Sequence, residues 1–181
     1  MKLIAALALT LAAPAAFVAA APAHAADVAT ITCVERNLDA NGRKLLDRDL
    51  QKNLENAGQA QSYSPEFISA IQTAAKACAA KHGWSSEATQ AAILYTVPKL
   101  GWPLAARMGR AKGVNPDALA KRVRALSDEE LADATSEEVL GKLAHASVEA
   151  NEINGGNAAL AGALYGLLTL QAKAYIDFSK A

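Results

Sequence analysis

The chain has 181 residues, 52% of them hydrophobic, 20% charged and only 5% aromatic, so it is too apolar for a disordered chain and sized for one ordinary domain. Its 18 basic and 18 acidic residues cancel, which argues against a nucleic-acid-binding protein as a whole, and two cysteines are too few for a disulfide framework.

Met1-Lys2 supplies a positive start, Leu3 to Val18 is an uncharged run rich in Leu and Ala, and Ala23-His24-Ala25 offers small residues where signal peptidase reads. Residues 1–25 therefore read as a secretory signal peptide cut after Ala25, leaving residues 26–181 as the mature domain. Cuts after Ala20 or Ala21 are alternatives. Pro14 and the shortness of the apolar run disfavour a membrane anchor, and Thr30-Ile31-Thr32 before Cys33 is no lipobox. Cleavage would leave 17 basic and 18 acidic residues, two histidines and a net charge near −1. A chain of that size buries roughly 68–70% of its unfolded surface, so a core is expected without help from metal.

Export gives Cys33 and Cys78 their meaning. In an oxidising compartment they are most simply one disulfide, closing a loop of about 46 residues and contributing roughly 4 kcal/mol in the chain-entropy model. No C-x-x-C spacing suggests redox chemistry instead.

Helix punctuation recurs along the rest of the chain, and no segment alternates as a half-buried strand would. A short helix is expected from about Thr30 to Leu38. Asp39 caps a second, to about Asn56, with Leu46, Leu50 and Leu54 inward and Arg43, Lys44, Asp47, Arg48, Asp49 and Lys52 as a solvated face. Gly58 ends it. Ser64-Pro65-Glu66 opens a third, whose stripe is Phe67, Ile71, Ala74 and Cys78, and Lys81-His82-Gly83 closes it, with Trp84 free to fold back on the last turn. Ser85 or Ser86 starts a helix that carries no charge from Ala88 to Pro98 and is expected to be buried on most sides. Pro98, Gly101 and Pro103 are expected to break it, with a new helix from Pro103 to Gly113 and another from Asn115-Pro116. Ser127-Asp128-Glu129-Glu130 and Thr135-Ser136-Glu137-Glu138 read as capping boxes, the second opening a long helix to about Asn154. After the turn Asn154-Gly155-Gly156-Asn157, a last helix runs from Ala158 to about Phe178. The expected fold is all-α: a single-domain irregular bundle of about six to eight helices with one disulfide.

No G-x-S-x-G, Walker, G-x-G-x-x-G, H-E-x-x-H or C-x-x-C-H motif occurs. Asp39-Ala40-Asn41-Gly42 resembles a calcium loop only faintly; its glycine is two positions early and Leu50 stands where a bidentate Glu belongs. His82 sits where a cation suits a helix C-terminus. His145 and Glu149 share a helix face but lack an obvious third metal ligand. The carboxylates between Asp128 and Glu138 occupy first turns, where acids belong for capping. No catalytic residue, metal or cofactor is assigned.

Charge segregation is the unusual feature. Between Lys99 and Leu126 lie Lys99, Arg107, Arg110, Lys112, Lys121, Arg122 and Arg124 against the single acid Asp117; from Ser127 to Glu152 eight acids face Lys142 alone. The positive charge projects outward from two amphipathic helices, Arg107 and Arg110 on one and Lys121 and Arg124 on the other, and suggests an anionic partner, such as an envelope component or an acidic protein patch. The bland alternative is that basic and acidic helices face each other or the solvent. Sparse aromatics speak against nucleic acid. On the last helix Ala158, Gly162 and Gly166 form a small-residue stripe beside Leu160, Leu164, Leu167, Leu168 and Leu170, suited to core packing, self-association or an apolar ligand. Its uncharged stretch is too short for a transmembrane span. The expectation is a periplasmic or secreted non-enzymatic binding or interaction protein. A carrier of a small apolar ligand, and an enzyme whose carboxylate or histidine site assembles only in three dimensions, are the alternatives.

Overall fold

In the computed structural model, which describes residues 26–181, the two longest helices lie against each other and carry the rest. The expected signal peptide, residues 1–25, lies outside the described residues. A 3-10 turn, Val28–Thr30, precedes eight α-helices: α1 (Cys33–Asn37), α2 (Ala40–Glu55), α3 (Pro65–His82), α4 (Ser86–Ala111), α5 (Pro116–Arg124), α6 (Asp128–Ala132), α7 (Glu137–Glu149) and α8 (Ala158–Lys180). There is no strand among the described residues, and one continuous core joins the helices into a single all-α domain.

The α4–α8 contact corrects the expectation of a break near Trp102. Helix α4 runs unbroken for 26 residues with Pro98 and Pro103 inside it. Each proline removes one helical N–H and crowds the carbonyl four residues back, a cost of about 3 kcal/mol in an isolated helix. Packing on both sides of the prolines outweighs that. Ala88, Ala91, Ala92, Ala105, Ala106 and Gly109 are all buried, so neighbouring helices approach the α4 backbone closely. A methyl group at Gly109 would stand 2.8 Å from Leu164 Cδ1 of α8, and one at Gly101 would collide with Leu50 Cδ2 of α2. The two glycines that read as helix breakers are contact points.

Helices α1, α2 and α3 form a layer on one side of this pair. The Cys33–Cys78 disulfide joins α1 to α3 with Cα atoms 5.9 Å apart, and both half-cystines are buried. Asp39 caps α2 by accepting from Gly42 N–H at 2.7 Å, which settles its role as a helix cap. Gly83, at φ 67°, ends α3 in the left-handed conformation, and Trp84 N–H donates to Ala79 O at 3.1 Å. Trp84 then does more than fold back. Its ring stacks on His82, meets Phe178 of α8 edge-on at 5.1 Å between centroids, and donates Nε1–H to Thr30 Oγ1 at 3.0 Å.

Asp49 is a second correction. Expected on a solvated face, it is buried, and its carboxylate accepts from Ser64 N–H at 2.8 Å and Ser64 Oγ–H at 2.5 Å while Arg48 flanks it at 2.9 Å. The Ser64 hydroxyl therefore serves α2 and makes no capping bond to its own helix α3. Two further boundaries move. Helix α7 is capped by Ser136, whose hydroxyl accepts from Val139 N–H, so no reciprocal glutamate stands at the third position and the box expected at Thr135–Glu138 is not formed. It ends at Glu149 rather than near Asn154, because Asn151 turns to φ 55° and Glu152 N–H folds back to Ser147 O at 2.9 Å. The box at Ser127–Glu130 is present as expected.

Burial pushes the Asp49 carboxyl up, but the Ser64 hydroxyl, the Ser64 N–H and the Arg48 guanidinium outweigh it and hold it below its ordinary value of 3.8. Since the folded group is the more acidic, its contribution is present above the unfolded pKa and is lost as pH falls through the folded one. Asp49→Asn is expected to lower the melting temperature at neutral pH and to flatten its decline below about pH 4. Melting curves that stay parallel for the two proteins across that range contradict this.

Candidate functional site

Two of the seven cations are engaged by acids. Arg110 pairs with Asp117 at 3.0 Å, and Arg122 grips Glu152 with two bonds of 2.8 and 3.0 Å. That fork of hydrogen bonds holds the Glu152 carboxyl below the usual range. Lys99, Arg107, Lys112, Lys121 and Arg124 are exposed and make no ion pair among the described residues. Arg107 lies over a depression shared with Asp47 and Arg48 of α2, Lys112 beside one shared with Glu55, and Arg124 at a cavity between α5 and α8.

His145 Nδ1 and Glu149 Oε2 are 3.6 Å apart with both side chains largely exposed, and no group of three or more His, Cys, Asp or Glu among the described residues is placed to hold a metal. His82 stacks on Trp84 with its Nε2 buried and without a hydrogen-bond partner. In the acidic segment Glu130 is engaged structurally. Its bond from Lys142, and then the Ser127 N–H, hold its carboxyl down at about 2. Between α7 and α8, Ser147 Oγ and Tyr165 Oη lie 2.5 Å apart in the core, where burial pushes the phenol up.

A groove of about 440 Å³ lies between α3, α4 and α8. Phe67 and Ile71 come from α3, Ile93 and Val97 from α4, and Leu167 and Leu170 from α8. Gln61, Gln72 and Gln90 bring amides to it, and Ile68, 42% exposed, stands at its edge. Most of the lining is apolar, with hydrogen-bonding groups from the glutamines, Tyr63 and Thr135, which is the make-up of a small-molecule site. Its α4 side belongs to the uncharged run that sequence periodicity assigns to the core. Ile93, Leu94 and Val97 are only partly buried and line the groove there.

The small-residue stripe of α8 meets this groove at one end. Ala158 and Gly162 face solvent, whereas Gly166 is half-buried, lines the groove, and has nothing within 4 Å of where a Cβ would stand. The stripe therefore does not receive a neighbouring helix; at Gly166 it leaves the groove open. No helix among the described residues is long and apolar enough to cross a membrane. Comparison with protein families, curated proteins and solved structures finds no match for the chain.

Gly166→Leu is expected to place a side chain in open space and to gain helix propensity of about 0.7 kcal/mol. Chemical denaturation of the variant should show unchanged or higher stability. A clear loss would mean that the groove is closed in solution.

Proposed function

We propose that this is an exported binding protein of the cell envelope that carries a small, largely apolar ligand in the α3–α4–α8 groove. The observation that carries it is the groove itself: about 440 Å³, predominantly apolar, with open space where a side chain at Gly166 would stand. Its amides are positioned to orient a ligand bearing one or two polar atoms, and charge is absent from its lining. The leader-like residues 1–25 and the Cys33–Cys78 disulfide support export, since a disulfide persists most readily in an oxidising compartment.

A neutral apolar dye such as N-phenylnaphthylamine should brighten on binding the purified protein, and Gly166→Leu should weaken that binding at least about tenfold, the effect of losing several buried methylene contacts. Equal titration curves for the two proteins would remove the groove from consideration. Expression with the leader in a bacterial host should yield a denatured mass equal to Ala26–Ala181 less two hydrogens; a mass retaining residues 1–25, or a gain of two hydrogens, would contradict export or the disulfide respectively.

One observation favours an anionic partner as a second reading: five of the seven clustered cations are exposed without an acid paired to them. Replacing Lys99, Arg107, Lys112 and Lys121 with Gln should then abolish retention on anionic liposomes at low salt. Unchanged retention would leave these charges a solubilising role only.

A further inference from the structure

Arg124 closes α5 and Asp128 opens α6, four positions later. On one continuous helix an Arg and an Asp at that spacing would lie one turn apart and pair. Here the chain leaves the helix at Ala125 and re-enters through the Ser127 capping box, which fixes a new direction before Asp128. The two opposite charges are consequently held apart. Neither makes an ion pair within 4.0 Å with any described residue, although both line the same cavity.

That cavity, of about 470 Å³, lies on the other side of α8 from the apolar groove. At 100° per residue, Leu168 and Tyr175 point nearly opposite to Gly166 and Leu170. Val123, Leu131, Leu168 and Ile176 give it apolar lining, and the rings of Tyr95 and Tyr175 stand 6.4 Å apart, inclined at 45°. Its size is in the lower half of the range for small-molecule sites, roughly 300–1,000 Å³.

A guanidinium and a carboxylate, unpaired, over one apolar cavity select the ligand by elimination. A simple anion would be repelled by Asp128 and a simple cation by Arg124. A neutral apolar molecule would make use of neither charge. A molecule carrying an anion and a cation on an apolar body satisfies each. We infer that this cavity binds a short hydrophobic peptide with free termini, its carboxylate forked by Arg124 and its ammonium held by Asp128. Its apolar side chains lie against Leu131, Leu168 and the tyrosine pair. The assignment does not depend on the apolar groove having a ligand.

Isothermal titration of the purified full-length product with the dipeptide Leu-Phe tests it. Binding is expected in the millimolar range or tighter, weakened at least about tenfold when the dipeptide is amidated at its C-terminus or acetylated at its N-terminus. Arg124→Gln should erase the difference between the free and amidated peptide, and Asp128→Asn the difference between the free and acetylated one. Both positions are exposed, so unaltered helical circular dichroism is expected for both variants. Gly166→Leu should leave the titration unchanged, which separates this cavity from the groove. Absence of heat at millimolar dipeptide, equal affinity for the blocked and free peptides, or discrimination against the amidated peptide that survives Arg124→Gln would each overturn the assignment.

Discussion

The close approach of α4 and α8 is the constraint on which the rest of the molecule depends. It is possible only because α4 presents Ala105, Ala106 and Gly109 where a larger side chain would hold α8 away, and because Leu164 fills the space over Gly109. The same helix admits Leu50 of α2 over Gly101 on another side. Burial of these surfaces outweighs two interior prolines, each of which would end a helix left to itself. An unbroken α4 is in turn what lets one α8 face serve the whole domain, from Leu164 to Phe178.

Around this pair the shorter elements are held by contacts distant in sequence. The disulfide fastens α1 to α3, Trp84 joins the first turn of the described chain to the end of α8, and Asp49 ties the start of α3 to α2. On the opposite flank, α5, α6 and α7 are too short to form independently and rely on packing against α8. Part of the basic segment is neutralised here. Arg122 meets Glu152, and Lys142 meets Glu130, within a network that also orders the helix ends. The charge segregation of the sequence is thus partly an internal matter of the fold.

Two concavities follow from this layout because α8 is long and its neighbours cover it unevenly. Where α3 and α4 meet α8 the lining is apolar and Gly166 keeps it open. Where α5 turns into α6 the lining combines apolar residues with Arg124 and Asp128. Both are small-molecule sized, and neither carries a convergent set of metal ligands among the described residues.

The all-α class, most helix starts, the inward leucines of α2, the stripe of α3 and the cysteine pairing were legible in the sequence, because each is governed by local signals: caps, periodicity, and the presence of just two cysteines. Asn115 and Ser127 cap helices where their side chains alone said they would, and of Ser85 and Ser86 it is Ser85 that caps α4. The sequence could not decide how Pro98, Gly101 and Pro103 would behave, since their local preference is overruled by Leu50 and Leu164 from other helices. Nor could it place Asp49 inward, because its partner Ser64 lies fifteen residues away. The uncharged run from Ala88 to Pro98 reports residues that avoid water and says nothing of whether neighbours cover them completely, so the groove along it was not legible. Arg124 and Asp128 were visible as charges, but only the turn between α5 and α6 decided that they face one cavity unpaired. Short-range chemistry determined the helices; the competition between packing surfaces far apart in the chain decided where they run and what they leave open.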